Sequence, residues 1–571
     1  MLRGAVLAAL VGVFALGADV IPLSEVQPGM TGYGLTVVAG TEISRFEVEV
    51  VAVLDEPGEE NDFIVVRVSG PAIARSGGVA QGMSGSPVYL GGKLAGALSR
   101  AAAWSADRER PLALVTPIEA MLRVLEEVAP PKNQPAPSQG PRASGIGEPS
   151  PMFLASPVMA SGLSPRALAA LANGVDLRAP GHALSDLLPP WRAAVPGLLE
   201  LGASRVLASP SASGQGPALD LVPGGPVGVG LAVGDVSVGA LGTVTLVEDG
   251  AVLALGHPFL FTGPSRYFLT EAYVLDTVAA YDFSYKLGTM GEVRGGVFAD
   301  RLAAVAGVVG RVPAGITTSF RVRDLGRGRE KTLTVKVVDE PRLIALLLYV
   351  AGLEAADRAL DRIGPGTVTV QYTLTGRNLP RPLSRKNVFL STQDVALYVP
   401  WEMALVADAL AYNEFADPGL TAVTLQATVQ PGFAATEIVS VVTDRPSYAP
   451  GDRVRFEVTL RRWRGGVEAW EGWLEIPDDL DSPYVELRAY GGPRPREKGE
   501  EPAVLESLAD LLGYIDRIPT YDTLTVELFA VHPVSAVTGE TWLYGVDGVA
   551  DRIPDVVVYG EVRVVLPLAR P

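Results

Sequence analysis

A chain of 571 residues is longer than one hydrophobic core organises, so about three or four domains are expected. With 48% hydrophobic and 19% charged residues, 63 glycines and 46 prolines, the composition suits a globular protein of short strands and turns. A formal net charge of -17 argues against a nucleic-acid partner; the lack of cysteine excludes disulfides, thiol nucleophiles and thiolate metal sites; and three histidines in all, His182, His257 and His532, disfavour a His-rich metal centre.

Met1-Leu2-Arg3 precedes an apolar run from Gly4 to about Leu16 and the small pair Gly17-Ala18. This is the pattern of a secretory signal over 1–18, which predicts export to the periplasm, the cell envelope or the medium. The run is shorter than the roughly 20 residues that span a bilayer, an uncleaved signal anchor being the alternative. From 19 to 129 the sequence predicts a β-barrel closed by a helix. Phe46, Val48 and Val50 alternate with Glu47 and Glu49, the period of a half-buried strand, and Phe63 to Val68 form a second strand. Thr116-Pro117-Ile118-Glu119 has the form of a capping box, and Ile118, Leu122 and Leu125 share a helical face.

Residues 130–152, rich in Pro, Gly and Ser, read as a linker, and 153–219 as a helical or irregular connector in which a short helix starts at Ser164-Pro165. Strand-like sequence with many glycines resumes from 220 to 329 and contains His257. An α+β module over 330–435, with helices around Leu343–Ile363 and Trp401–Tyr412, precedes a segment over 436–571 in which Val454, Phe456, Val458 and Leu460 alternate strictly. That segment predicts an immunoglobulin-like β-sandwich, interrupted by a helix from about Val504 to Ile515. The fold class is therefore mainly β and multidomain.

The chemistry concentrates in Gly77-Gly78-Val79-Ala80-Gln81-Gly82-Met83-Ser84-Gly85-Ser86-Pro87. A serine nucleophile needs a tight turn whose backbone N–H groups point at the developing oxyanion, and flanking glycines permit that shape. Ser84 is the candidate nucleophile, and Gly82 and Ser84 the candidate oxyanion donors. Pro87–Leu90, Gly91-Gly92 and Leu94–Leu98 then predict a hairpin. His257 is the candidate base, because neutral imidazole can take the serine proton near physiological pH and return it to the leaving amine. No cofactor or metal is called for; the partner is a protein or peptide substrate, with a further envelope protein able to bind the C-terminal domains.

The turn, hairpin and closing helix resemble the nucleophile region of chymotrypsin-like peptidases, which implies a double β-barrel. A closer resemblance is to the SpoIVB-type serine peptidase family, whose Gly-Gly-Ile-x-x-Gly-Met-Ser-Gly-Ser-Pro motif is matched by Gly77-Gly78-Val79 and Gly82 to Pro87. Gly242-Thr243-Val244-Thr245 and Ala254-Leu255-Gly256-His257 resemble its Gly-Thr-Leu-Thr strand and its histidine motif, and Leu287-Gly288-Thr289 with Asp300-Arg301 resembles a third segment. The resemblance implies an endopeptidase acylated on Ser84. Two departures stand out: Ser84 precedes His257, the reverse of the SpoIVB peptidase order, and Ser69 occupies the position of the family's acid. Asp300 is the first choice for an orienting acid and Asp235 the second, unless a Ser-His dyad suffices. Ser69 favours the alternative of a noncatalytic envelope scaffold built on a degenerate peptidase fold.

Overall fold

In the computed structural model the described residues are 19–55, 62–101, 107–128, 157–177, 198–199, 201, 205–210, 220–494, 504–532 and 542–569. The expected signal segment, the 130–152 linker and His182 lie outside them. The described residues fall into two compact units, one drawn from the chain up to 162 and from 202–313, the other from 163–201 and 314–571. The fold is mainly β with barrel-like sheets.

The first unit begins with a closed barrel of β1 (Thr31–Val37), β2 (Ile43–Leu54), β3 (Phe63–Ser69), β4 (Pro87–Leu90), β5 (Lys93–Ala101) and β6 (Leu112–Pro117), in the order β1-β2-β3-β6-β5-β4. Phe46, Val48 and Val50 point into its core while Glu47 and Glu49 face solvent, as their alternation predicts. A short helix, α1 (Pro71–Arg75), leads into the Ser84 turn, and α2 (Ile118–Glu126) follows β6.

Two expectations for α2 need correction. Its N-cap is Pro117, with no side-chain cap; the Thr116 hydroxyl bonds Gly256 O instead, and Glu119 accepts from the Leu23 amide, so there is no capping box. Its buried face is Ile118, Met121, Val124 and Leu125, with Leu122 at the margin.

A second ring of pairing closes through β9 (Pro226–Gly234), β10 (Ser237–Glu248), β11 (Ala251–Ala254), β14 (Val305–Val309), β13 (Tyr285–Asp300) and β12 (Gly263–Val278), which returns to β9. Strand β7 (Val158–Ser161) pairs with β10, and β8 (Val206–Ala208) runs parallel to β7. The two rings share a core. Ile118, Met121, Val124 and Leu125 of α2 pack with Leu94 and Ala97 of the first ring and with Leu246, Ala251, Leu253, Ala299 and Ala306 of the second. Burying apolar surface between the rings holds a histidine-bearing and a serine-bearing half against each other.

In the second unit, Ser164 caps α3 (Pro165–Asn173). A five-stranded set, in the order Arg329–Val337, Ile316–Asp324, Leu420–Gln430, Gly366–Gly376 and Leu383–Ser391, carries α4 (Pro341–Leu360) and α5 (Tyr398–Ala411). The last segment forms two four-stranded sheets around a common apolar core that includes Val454, Phe456, Val458 and Leu460, with α6 (Leu508–Arg517) beside them. Arg385 links these parts. It pairs with Glu402 of α5 at 2.7 Å, both side chains being almost wholly buried, and also donates to the carbonyls of Ile515 and Ile518. Arg385→Ala leaves the Glu402 charge buried with its main partner gone and is expected to cost about 3–5 kcal/mol, measured as a lower denaturant midpoint.

Candidate active site

Hydrogen bonds at every step hold the Ser84 turn. Met83 N–H donates to Ala80 O (3.0 Å), and both the N–H and the hydroxyl of Ser86 donate to Met83 O (3.0 and 2.6 Å). Gly85 N–H donates to Leu98 O (2.8 Å) and Leu98 N–H to Ser86 O (2.9 Å), so β5 clamps the far side of the turn. These bonds fix the backbone in which the amides of Gly82 and Ser84 sit. Gly82 and Gly85 have φ of 90° and 91°, a region that only glycine enters cheaply. The Ser86 hydroxyl is spent inside the turn on Met83 O.

The second ring supplies the rest of the scaffold. Thr243 and Thr245, two apart on β10, project from the same face. Thr243 Oγ1 donates to Gly82 O (3.0 Å), Thr245 Oγ1 to Gly85 O (2.7 Å), and Thr243 N–H to Ser84 O (2.9 Å). The Gly-Thr-Val-Thr motif is thus the cradle of the serine turn. Approach is so close that a Cβ on Gly85 would lie 2.0 Å from Thr243 O and 2.5 Å from Leu255 N.

Leu255 opens the turn that carries His257. It and Gly256 both adopt positive φ (68° and 67°), so the chain reverses sharply after β11; for leucine that conformation costs of the order of 1–3 kcal/mol, offset by its packing. Gly256 O accepts from Thr116 Oγ1 at 2.7 Å. His257 Nδ1 lies 2.7 Å from Pro258 O. A carbonyl only accepts, so Nδ1 carries the hydrogen and Nε2 of the neutral ring is the acceptor, the tautomer a general base needs. Ser84 and His257 are 0% and 1% exposed. The serine turn and the histidine turn therefore meet over Gly242-Thr243, inside one compact unit.

Asp300 ends β13 and is buried beside the same histidine turn. Its carboxylate accepts from the amides of Phe259 (2.7 Å), Leu260 (2.8 Å) and Thr262 (3.3 Å). Burial pushes its pKa above the usual carboxylate value, against the amides, which favour the charged form. Asp300 thus holds the backbone that follows His257. Asp235 sits at the exposed turn between β9 and β10, and Ser69 donates to Glu47 on the neighbouring strand at 3.1 Å. His532 lies on the strand Thr523–His532 of the second unit.

Sequence reasoning missed Thr116, which read as a helix cap. Thr116→Val removes the donor to Gly256 O and leaves a buried carbonyl unsatisfied. It is expected to cost about 1–3 kcal/mol, as unfolding measurements beside the wild type would show.

The site thus belongs to a mainly β protein whose serine and histidine turns are pressed together by two strand rings. Compared with known proteins, residues 17–107 match the family model of the SpoIVB peptidase S55. Over this segment the likeness to the SpoIVB-type serine peptidase family is shown; it takes in the whole Ser84 turn and ends well before His257. No curated protein and no solved structure matches the chain.

Proposed function

We propose that the protein is an exported serine endopeptidase of the SpoIVB type, with the two strand rings acting as a chymotrypsin-like pair of barrels. Ser84 Oγ attacks the scissile carbonyl while His257 Nε2 takes its proton. The tetrahedral oxyanion is held by the amides of Gly82 and Ser84. His257 then passes the proton to the leaving amine, and water, activated by the same imidazole, releases the acyl group from Ser84. Asp300 keeps the His257 turn in place, while Pro258 O accepts the hydrogen bond from Nδ1 that a carboxylate accepts in a full triad. No cofactor enters these steps. Because Ser84 and His257 are buried, a substrate chain must open the site as it binds.

The observation that carries this reading is the contact of the Ser84 turn with Thr243 and Leu255, which brings two distant motifs to one place. Supporting it is the family match, which covers the nucleophile turn. Among the described residues no helix is long and apolar enough to cross a membrane, and export rests on the apolar start of the chain. The C-terminal sheets are left to recognise substrate or an envelope protein. The test is incubation of the exported protein with an unfolded protein substrate, followed by product mapping: discrete internal cleavages that vanish in Ser84→Ala are expected. Undiminished cleavage by folded Ser84→Ala would discard the proposed nucleophile.

A further inference from the structure

Lys286 of β13 is 1% exposed, and its Nζ donates to Thr36 Oγ1 of the first ring and to Thr243 Oγ1 of the second, both at 3.0 Å. The described residues give it no carboxylate partner, and burial alone lowers its pKa to about 7. A buried, unneutralised lysine is costly, and such residues concentrate at functional sites. This one lies against the nucleophile turn at three points. Its N–H donates to Gln81 O (2.9 Å), beside a bond from Gln81 N–H to Ser284 O (2.7 Å). Its side chain covers Gly82, where a Cβ would lie 3.2 Å from Lys286 Cβ and Cδ. Through Thr243 Oγ1, its ammonium is linked to Gly82 O.

Both peptide planes around Gly82 are therefore held from the second ring. A trans peptide is planar, with C=O and N–H pointing in opposite directions. The bond from Lys286 N–H to Gln81 O thus aims the Gly82 N–H away from β13, and the relay from Nζ through Thr243 pins the carbonyl on the other side of Gly82. We propose that Lys286 is a positioning residue of the active site, which fixes the Gly82 oxyanion donor from the histidine-bearing ring by way of Thr243. This inference rests on the serine peptidase reading. Lys286 touches no reacting atom; it acts through the geometry of Gly82.

The test is the rate at which a fluorophosphonate probe modifies Ser84, measured beside thermal stability at pH 6. A lysine with a folded pKa of about 7, against about 10.4 unfolded, favours the neutral form in the fold. The native state therefore loses stability as pH falls from about 10 to 7, and the deficit is complete below pH 7. Lys286→Met removes that deficit and keeps the backbone bond to Gln81, so its Tm at pH 6 is expected to be no lower than wild type. Phosphonylation should nevertheless fall by roughly ten- to a hundredfold, because a displaced donor serves the transition state poorly. A structural role alone would not separate the two readouts in this way. Thr243→Val should reproduce the loss and Thr243→Ser, which keeps the hydroxyl, should restore the rate. That pair tests the Thr243 step of the relay whether or not Lys286→Met folds well. Wild-type rates in Lys286→Met, or equal rates in Thr243→Val and Thr243→Ser, would overturn the inference while the peptidase reading stands. Failure of the folded wild type to react would instead overturn both.

Discussion

Ser84→Ala and His257→Ala are each expected to abolish hydrolysis, by about 10⁴- to 10⁶-fold, and the double variant to be little slower than either. A nucleophile whose proton has nowhere to go and a base with nothing to deprotonate are equally idle, so the two losses do not add. The geometry makes the prediction specific. The turns that carry the two residues meet over Thr243, and Nδ1 of His257 is occupied by Pro258 O, which leaves Nε2 as the acceptor. Asp300→Asn should cost less, since Asp300 acts on the loop after His257 through the amides of Phe259, Leu260 and Thr262. Ser86→Ala should retain substantial activity, because its hydroxyl serves only to bond Met83 O within the turn. Additive losses from Ser84 and His257, measured as kcat/KM on one peptide substrate, would mean that the pair does not act as a unit.

Gly85→Ala is expected to be as damaging to activity as loss of the nucleophile, though no reacting group is removed. The added methyl would sit 2.0 Å from Thr243 O and 2.5 Å from Leu255 N, both of them backbone atoms that cannot rotate away. The residue would also have to hold φ at 91°, which an L side chain resists. The turn must then back off from β10. That breaks the bonds from Thr243 N–H to Ser84 O and from Thr245 Oγ1 to Gly85 O, and it separates the serine turn from the histidine turn. A stability loss of roughly 3 kcal/mol or more is expected from such a clash. Denaturant unfolding alongside the hydrolysis rate would test it, and wild-type behaviour in both would show that the close approach of the two turns is unimportant.

Much of this arrangement was legible in the sequence, and the rest was hidden for identifiable reasons. The alternation at Phe46, Val48 and Val50 announced its strand because period two is a local property of the chain. The hairpin after Ser84 announced itself through Gly91-Gly92, both of which adopt positive φ (57° and 87°). Thr116 misled, because Thr-Pro-Ile-Glu has the local form of a helix cap while its hydroxyl is used by Gly256, far along the chain. Asp300 was the expected orienting acid on motif resemblance; its carboxylate accepts from the amides of Phe259, Leu260 and Thr262, a choice that depends on the path of residues 259–262, which no spacing rule gives. Lys286 gave no signal at all. A lysine in a strand reads as exposed, and only the closure of two rings around it puts it in the interior.

The central claim, that Ser84 is a nucleophile activated by a histidine from the other ring, is tested most directly by mapping a fluorophosphonate adduct with mass spectrometry. The expected result is a single adduct on the peptide containing Ser84, absent in Ser84→Ala and strongly slowed in His257→Ala. Folded wild-type protein that stays unlabelled, or that is labelled on Ser86 instead, would contradict it.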